Sequence, residues 1–283
     1  MTAGAPRPPL LMFIVRLATA LALAVSCAAA LLLLANPWWM LLLLAVLAVG
    51  SWEWGALAGF SNALRSGYAV LVVGSALMIG SLATGSAPGA ASRSAAEYTA
   101  YGLNCAFWGL IAIPWLALRR NVTSPFALGV SGWIVLVPTW LALTRLQLEP
   151  ERLLALLGVV WVADTAAYLS GKAWGTHRLA PSISPAKTWE GVAGAAVAVA
   201  VYYAVLSQYT PGWRGWQGWG GALLFAGVAA LSVVGDLFES WIKRQAGAKD
   251  SGKLLPGHGG VLDRIDTMTA AMPFAALILL HTT

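Results

Sequence analysis

Long apolar runs recur along the chain, and this feature limits its fold more than any other. Each run is about 20 residues long, which is the length at which one α-helix crosses the hydrocarbon core of a bilayer. Of the 283 residues, 59% are hydrophobic and only 10% are charged. Soluble domains have about 25% charged residues, so this chain cannot cover an ordinary water-facing surface. We therefore predict an all-α, polytopic integral membrane protein.

The apolar runs predict nine transmembrane helices in a single membrane domain over residues 1–283. No Pro/Ser-rich linker or long polar block divides the chain. Residues 1–150 would supply N-terminal helices of undetermined role, and residues 151–283 the functional helices and loops. The first run is too long for a signal-peptide core, so we interpret it as an uncleaved span. The predicted spans are 10–35, 38–60, 68–85, 101–118, 126–145, 152–171, 189–207, 219–243 and 263–281.

Basic residues are distributed unevenly between the two sides of these spans. The N-terminal arm and the loops after spans two, four, six and eight, with the start of span nine, hold twelve Lys and Arg residues, and the opposite side holds four. The positive-inside rule then places the N-terminus in the cytoplasm and the C-terminus outside. The net charge of +6 is dispersed along one membrane face, which argues against nucleic acid as a partner.

Acidic residues inside a membrane need a partner or a function, because each costs about 2.5–3.5 kcal/mol on insertion scales. Three of them precede the predicted cytoplasmic end of their span by about seven residues, or roughly 10 Å. Two more enter span nine from the same side. We therefore expect carboxylates from separate helices to converge on one water-accessible layer. The acids within spans are Glu53, Asp164, Asp236 and Glu239, and those entering span nine are Asp263 and Asp266.

The spacing of these acids predicts a site for a metal ion and phosphate. Asp236 and Glu239 are three residues apart and share one helical face. Asp263 and Asp266 fall in the first turn of span nine, where the helix dipole favours carboxylates and bound phosphates. Oxygen ligands with few nitrogen or sulfur atoms favour Mg²⁺ over zinc. The alternative is that these acids only cap the helix and pair with neighbouring basic residues.

A second polar segment, SISPAKTWEG (182–191), opens span seven. Ser184, which precedes a proline, is predicted to be the helix N-cap. Lys187 and Glu190 would then lie in the opening turn, where the helix dipole disfavours a cation. A bound anion would resolve this conflict, which makes Lys187 a candidate phosphate ligand. Ordinary positive-inside usage is the alternative.

Residues 240–266, SWIKRQAGAKDSGKLLPGHGGVLDRID, resemble the signature of the phosphatidate cytidylyltransferases, also called CDP-diglyceride synthetases. The segments DTAAY, SISPAKTWEG and GDLFES also resemble polar segments of that family. The resemblance covers roughly 160–275, with minor departures at Lys172 and Trp241.

The resemblance implies a bacterial-type enzyme of the cytoplasmic (inner) membrane that makes CDP-diacylglycerol and pyrophosphate from CTP and phosphatidic acid. Its site would hold Mg²⁺ or another divalent cation, with one ion or two, and the chain leaves homodimer formation open. The implied metal ligands are Asp236, Asp263 and Asp266, and Lys243 and Arg264 complete the catalytic set. The implied substrate and phosphate ligands are Asp164, Ser184, Lys187, Thr188, Glu190, Ser240, Arg244, Lys249, Asp250, His258, Gly259 and Gly260.

Three other functions are weaker interpretations of the same residues. A secondary transporter also carries intramembrane acids, but its acids would lie at the midplane between repeats. A CTP-dependent lipid kinase would release CDP and leave no cytidylyl group on the lipid. A CDP-alcohol phosphatidyltransferase would need a D-G-x2-A-R motif followed by spaced Asp residues, which this chain lacks.

Overall fold

The structure is a computed structural model that describes residues 25–84, 90–209, 216–252, 254 and 259–280. Within these residues the chain is helical, apart from loops and one short β hairpin. A π-helical turn, Trp108–Ala112, joins α4 and α5 into one continuous segment. The helices are α1 (25–33), α2 (Asn36–Leu57), α3 (Asn62–Thr84), α4 (Ala90–Phe107), α5 (Ile113–Ala117), α6 (Pro125–Leu146), α7 (Pro150–Trp174), α8 (Trp189–Tyr209), α9 (Trp219–Gln245) and α10 (Leu262–Leu280).

With α4 and α5 counted together, the helices from α2 to α10 correspond to predicted spans two to nine. Helix α1 overlaps the end of the first predicted span, and residues 10–24 of that span lie outside the described residues. Among the described residues, seven helical segments are long and apolar enough to cross a membrane, and the chain is a polytopic membrane protein, as predicted. The fourth predicted span, 101–118, is too short, because the helix begins at Ala90. Its first residues are rich in alanine, which favours a helix without making the segment strongly apolar.

The hairpin between α7 and α8 departs from the predicted all-α fold. Strands β1 (Arg178–Ala180) and β2 (Ser184–Thr188) pair antiparallel, with Arg178 opposite Thr188 and Ala180 opposite Ser184. This pairing holds residues 184–188 extended, so α8 begins only at Trp189.

The predicted helix start at Ser184 is therefore wrong. Thr188 occupies the N-cap position instead, and its Oγ1 accepts a hydrogen bond of 3.1 Å from the Gly191 N–H. Lys187 lies on β2 and not in the first turn of the helix, whereas Glu190 does lie in that turn.

Helix α10 is central to the packing, since it contacts α9, α6 and α4. The contact with α9 is very close at Gly235, where an added Cβ would lie 2.5 Å from the backbone oxygen of Asp266. A glycine is needed there for the two backbones to approach. This approach brings Asp236, the next residue on α9, to the level of Asp266.

Phe238 fixes the rotation of α9 about its axis. It is two residues from Asp236, or about 200° around the helix, and so projects from the opposite face. Its ring centroid lies 5.2 Å from that of Trp108 and 5.6 Å from that of Phe107. Trp54 and Trp115 also pack against it, at 6.5 and 6.3 Å. Because this face is held by aromatic rings, Asp236 is directed away from them.

Candidate active site

Charged side chains from α2, α7, β2, α9 and α10 meet in one layer, as the depth of the acids in the sequence predicted. We call four of them the carboxylate cluster: Asp236, Glu239, Asp263 and Asp266.

Lys243 is the cation at the centre of one half of this cluster. Its Nζ donates to Glu239 Oε2 at 2.7 Å and to Asp263 Oδ1 at 2.6 Å. Lys243 is only 9% exposed. A buried ammonium needs compensating charge, and the two carboxylates supply it. Lys243 therefore links α9 to the start of α10.

Asp263 has both carboxylate oxygens occupied. Besides the Lys243 contact, its Oδ2 accepts hydrogen bonds from the Ser251 N–H and hydroxyl, each at 3.0 Å. The Gly260 N–H donates to the same oxygen at 2.8 Å. Asp263 therefore holds together the two ends of the loop between α9 and α10.

Glu53 reaches this loop from α2. It was expected among the converging acids, but it was not among the implied catalytic, substrate or metal residues. It is 3% exposed, and its carboxylate accepts hydrogen bonds from Leu262 N at 2.8 Å and Val261 N at 3.2 Å. The Ser251 hydroxyl donates to it at 3.1 Å. N–H groups at a helix start have no partner within the helix, so Glu53 caps α10 from a distant segment. Its position inside a predicted span was the sequence signal for such a role.

Glycines allow the loop to close around these two carboxylates. Gly259 has φ +80°, and a Cβ there would lie 2.5 Å from Asp263 Oδ2. Side chains at Gly252 and Gly260 would collide with Glu53. The resemblance implied Gly259 and Gly260 as phosphate ligands, but the Gly260 N–H donates to Asp263 within the protein. The predicted ligand His258 lies outside the described residues.

The second half of the layer is more open. Lys187 Nζ lies 2.6 Å from Asp236 Oδ2, with side-chain exposures of 24% and 30%. The Ser240 hydroxyl donates to Asp236 Oδ1 at 3.2 Å. Asp164 on α7 interacts electrostatically with both Lys187 and Asp236. The argument that Lys187 needs a bound anion at a helix start is therefore wrong, because Lys187 is on a strand and Asp236 is its anion.

Glu190 has local partners. Its carboxylate accepts hydrogen bonds from the Thr176 hydroxyl at 2.7 Å and from the His177 N–H at 3.2 Å. The His177 ring nitrogen Nδ1 lies 2.6 Å from it. Glu190 therefore ties the turn before β1 to the first turn of α8.

The other predicted residues are not gathered into the layer by any contact in the described part of the chain. Ser184 is half-buried on β2, and Thr188 is buried as the cap of α8. The remaining four are exposed and form no ion pair with a described residue: Arg244, Lys249, Asp250 and Arg264.

The donor atoms at α9 and α10 fit a hard divalent cation in part. Glu239 Oε1 is buried and receives no hydrogen bond from an N–H or hydroxyl group of a described residue. The Asp266 carboxyl interacts closely with Glu239 and also with Asp236. Carboxylates offer only acceptors, so such a contact requires a proton or a cation.

Within the described ranges, no three His, Cys, Asp or Glu side chains form a ready metal shell. Mg²⁺ commonly takes one or two carboxylates and completes its shell with water and substrate phosphate. The available carboxylates match that mode of binding.

Comparison with known proteins agrees with the family resemblance of residues 240–266. A sequence model described as the cytidylyltransferase family matches residues 14–282. The chain is 39% identical to a phosphatidate cytidylyltransferase of Pseudomonas aeruginosa, over 84% of this chain and 86% of the relative. It is 32% identical to the phosphatidate cytidylyltransferase of Haemophilus influenzae, over 84% and 89%. A Brucella suis protein of the same name is 52% identical over 128 residues, 44% of each chain.

Proposed function

The chain belongs to the cytidylyltransferase family, and from this premise we propose that it transfers the cytidylyl group of CTP to phosphatidic acid. The products are CDP-diacylglycerol and pyrophosphate. The observation that carries the proposal is the single layer in which carboxylates and lysines from five elements meet. A nucleotide and a lipid phosphate require such a layer near the membrane surface.

The proposed reaction is an in-line displacement at phosphorus. An oxygen of the phosphatidate phosphate forms a bond to the α-phosphorus of CTP, and the bond from that phosphorus to the β-phosphate bridging oxygen breaks, so that pyrophosphate leaves. No protein nucleophile is required. The chain acts by positioning the two phosphates and by offsetting the charge that develops between them.

Lys187 is the cation best placed for the incoming phosphates. It is partly exposed and its partners among the described residues are carboxylates, so it can exchange Asp236 for a phosphate oxygen with little rearrangement. Arg264 is exposed at the start of α10, and we propose it as a second cation for a substrate phosphate. Lys243 is enclosed by Glu239 and Asp263, and we assign it to holding α9 and α10 together beside the substrates.

We propose that Asp236, Asp266 and Glu239 supply the carboxylates for Mg²⁺ or a similar ion, one or two of them to each ion, with one ion or two bound. When bound, the ion would offset the negative charge of the triphosphate. Asp263 was also predicted as a ligand, but it already accepts four hydrogen bonds. We therefore assign Asp263 to the position of Lys243 and of the loop before α10.

We further propose that the layer of charged residues lies at the cytoplasmic face of a bacterial inner membrane, with the N-terminus in the cytoplasm. The distribution of Lys and Arg between the two sides of the chain supports this orientation. CTP is a cytoplasmic metabolite, and the phosphate of phosphatidic acid lies in the headgroup layer.

The direct test is thin-layer analysis of the lipid made by purified protein from labelled CTP, phosphatidate and Mg²⁺. Label in a lipid with the mobility of CDP-diacylglycerol, formed only with phosphatidate present, is the expected result. Release of CDP without label in the lipid would show a lipid kinase instead. No CTP turnover by protein that retains its helical content would refute the proposal and return the intramembrane acids to a transport role.

A further inference from the structure

A cavity lies at the same end of the helices as the carboxylate cluster and outside that cluster. Its volume is about 730 Å³. The end of α2, the loop between α5 and α6, the hairpin turn and the end of α9 form its walls. We call it the basic cavity and define it by Arg119, Asn121, Ile183, Trp241, Arg244 and Gln245.

Two arginines with no acidic partner among the described residues give this cavity a positive charge. All of its lining residues belong to the described part of the chain, and none of them is acidic. Neither Arg119 nor Arg244 forms an ion pair with a described residue. Within the described ranges, the Arg244 side chain donates a single hydrogen bond, a long one of 3.5 Å to Ala248 O. A guanidinium group presents several N–H donors in a plane and suits phosphate.

Gln245 provides a buried donor that is unused. Its Oε1 accepts a hydrogen bond of 2.7 Å from the Val122 N–H, which fixes the orientation of the amide. Its Nε2 is buried and has no hydrogen-bond partner among the described residues. Because Nε2 is closed off from solvent, it lies behind the cavity surface, and the two arginines are the donors that a ligand in the cavity would meet.

Arg119 has an unusual backbone conformation. Its φ is +50°, and it is the one described residue other than glycine with a positive φ. The end of α5 accounts for it: Arg119 N donates to Leu116 O at 3.3 Å and Arg120 N donates to Trp115 O at 3.1 Å, which is a Schellman motif with Arg119 at its left-handed position. This turn ends α5 beside the cavity and places Arg119 in its wall.

The rest of the wall is apolar, which distinguishes between a soluble anion and a lipid. Leu57, Leu128 and Ile183 line the cavity beside Trp241 and Ile242. A free phosphate would leave this surface without a partner, whereas an acyl chain would cover it. We propose that the basic cavity binds an anionic phospholipid, whose phosphate lies between the two arginines, at a site separate from the carboxylate cluster.

The test counts lipids retained by the full chain in native mass spectrometry. The probes are dioleoylphosphatidylglycerol and, as the neutral comparison, dioleoylphosphatidylcholine. Arg119→Gln should lower retention of the anionic lipid about tenfold or more, as expected for one charge-assisted hydrogen bond. Gln245→Glu keeps the acceptor for Val122 but opposes phosphate with a negative charge, and it should lower retention at least as much.

Arg120→Gln is the matched control, because Arg120 is adjacent, exposed and outside the cavity. It removes the same charge and should leave retention unchanged. Equal losses for Arg119→Gln and Arg120→Gln would overturn the site in favour of general surface attraction. Equal retention of the neutral lipid would also overturn it. Displacement of the lipid by millimolar inorganic phosphate would overturn the lipid assignment and show a site for free anions.

Discussion

Replacement of Gly235 by alanine tests whether the close approach of α9 and α10 positions the carboxylate cluster. The new Cβ would lie 2.5 Å from the Asp266 backbone oxygen, and an ordinary contact begins at 3.4 Å. The helices must therefore separate by up to about 0.9 Å at this point. A misplacement of about 1 Å at a reacting centre can lower the rate about 100-fold.

The stability of the Gly235→Ala protein should change much less than its rate. Overpacking costs about 1–3 kcal/mol, but alanine in a helix interior recovers about 1 kcal/mol relative to glycine. We therefore expect a net loss of about 0–2 kcal/mol in the free energy of unfolding. The assay is the initial rate of labelled lipid formation, measured beside thermal unfolding of the same protein in detergent.

Two glycines on the same helix serve as controls. Gly220 has no described atom within 4 Å of an added Cβ, so Gly220→Ala should keep the wild-type rate. Gly227→Ala would meet the Phe274 ring at 2.5 Å, and a ring can move where backbone cannot. Its rate should fall less than that of Gly235→Ala. A Gly235→Ala rate within threefold of wild type would refute the reasoning.

Three further predictions concern the charged layer. Lys243→Met leaves two buried carboxylates without their cation and should lower the free energy of unfolding by about 3–5 kcal/mol. Thermal or denaturant unfolding measures this loss. Lys249→Met, at an exposed site, should have little effect on the same quantity. Glu239→Gln should raise the Mg²⁺ concentration for half-maximal rate about tenfold or more. Asp263→Asn should lower the free energy of unfolding and raise that Mg²⁺ concentration less. A larger rise for Asp263→Asn than for Glu239→Gln would return Asp263 to the metal ligands. Lys187→Gln should raise the KM for CTP or phosphatidate, while the protein still inserts in the membrane and unfolds as the wild type does. An unchanged rate at limiting substrate would exclude Lys187 from phosphate binding.

The helices and their common charged layer could be predicted because both depend on local properties of the sequence. The length of an apolar run determines whether it spans a bilayer. The cost of an acid inside such a run makes its depth informative, which is why Asp236 and Asp164 were expected at one level.

The hairpin could not be predicted from the same signals. Ser184 followed by proline has the local pattern of a helix start, and only the pairing with Arg178–Ala180 reveals a strand. The ion-pair partner of each charged residue could not be predicted either. Nothing in the sequence indicates that Lys187 pairs with Asp236 or that Lys243 bridges two carboxylates, since these contacts join separate segments.

The hydrogen bonds of Glu53 limit how far the N-terminal helices can be separated from the rest of the protein. The carboxylate comes from α2, yet it supplies the acceptors for the first N–H groups of α10, more than 200 positions later in the chain. The N-terminal helices are thus not an exchangeable anchor attached to an autonomous catalytic half. A chimera that takes those helices from another protein must bring an acid at this position, or α10 will begin without its cap.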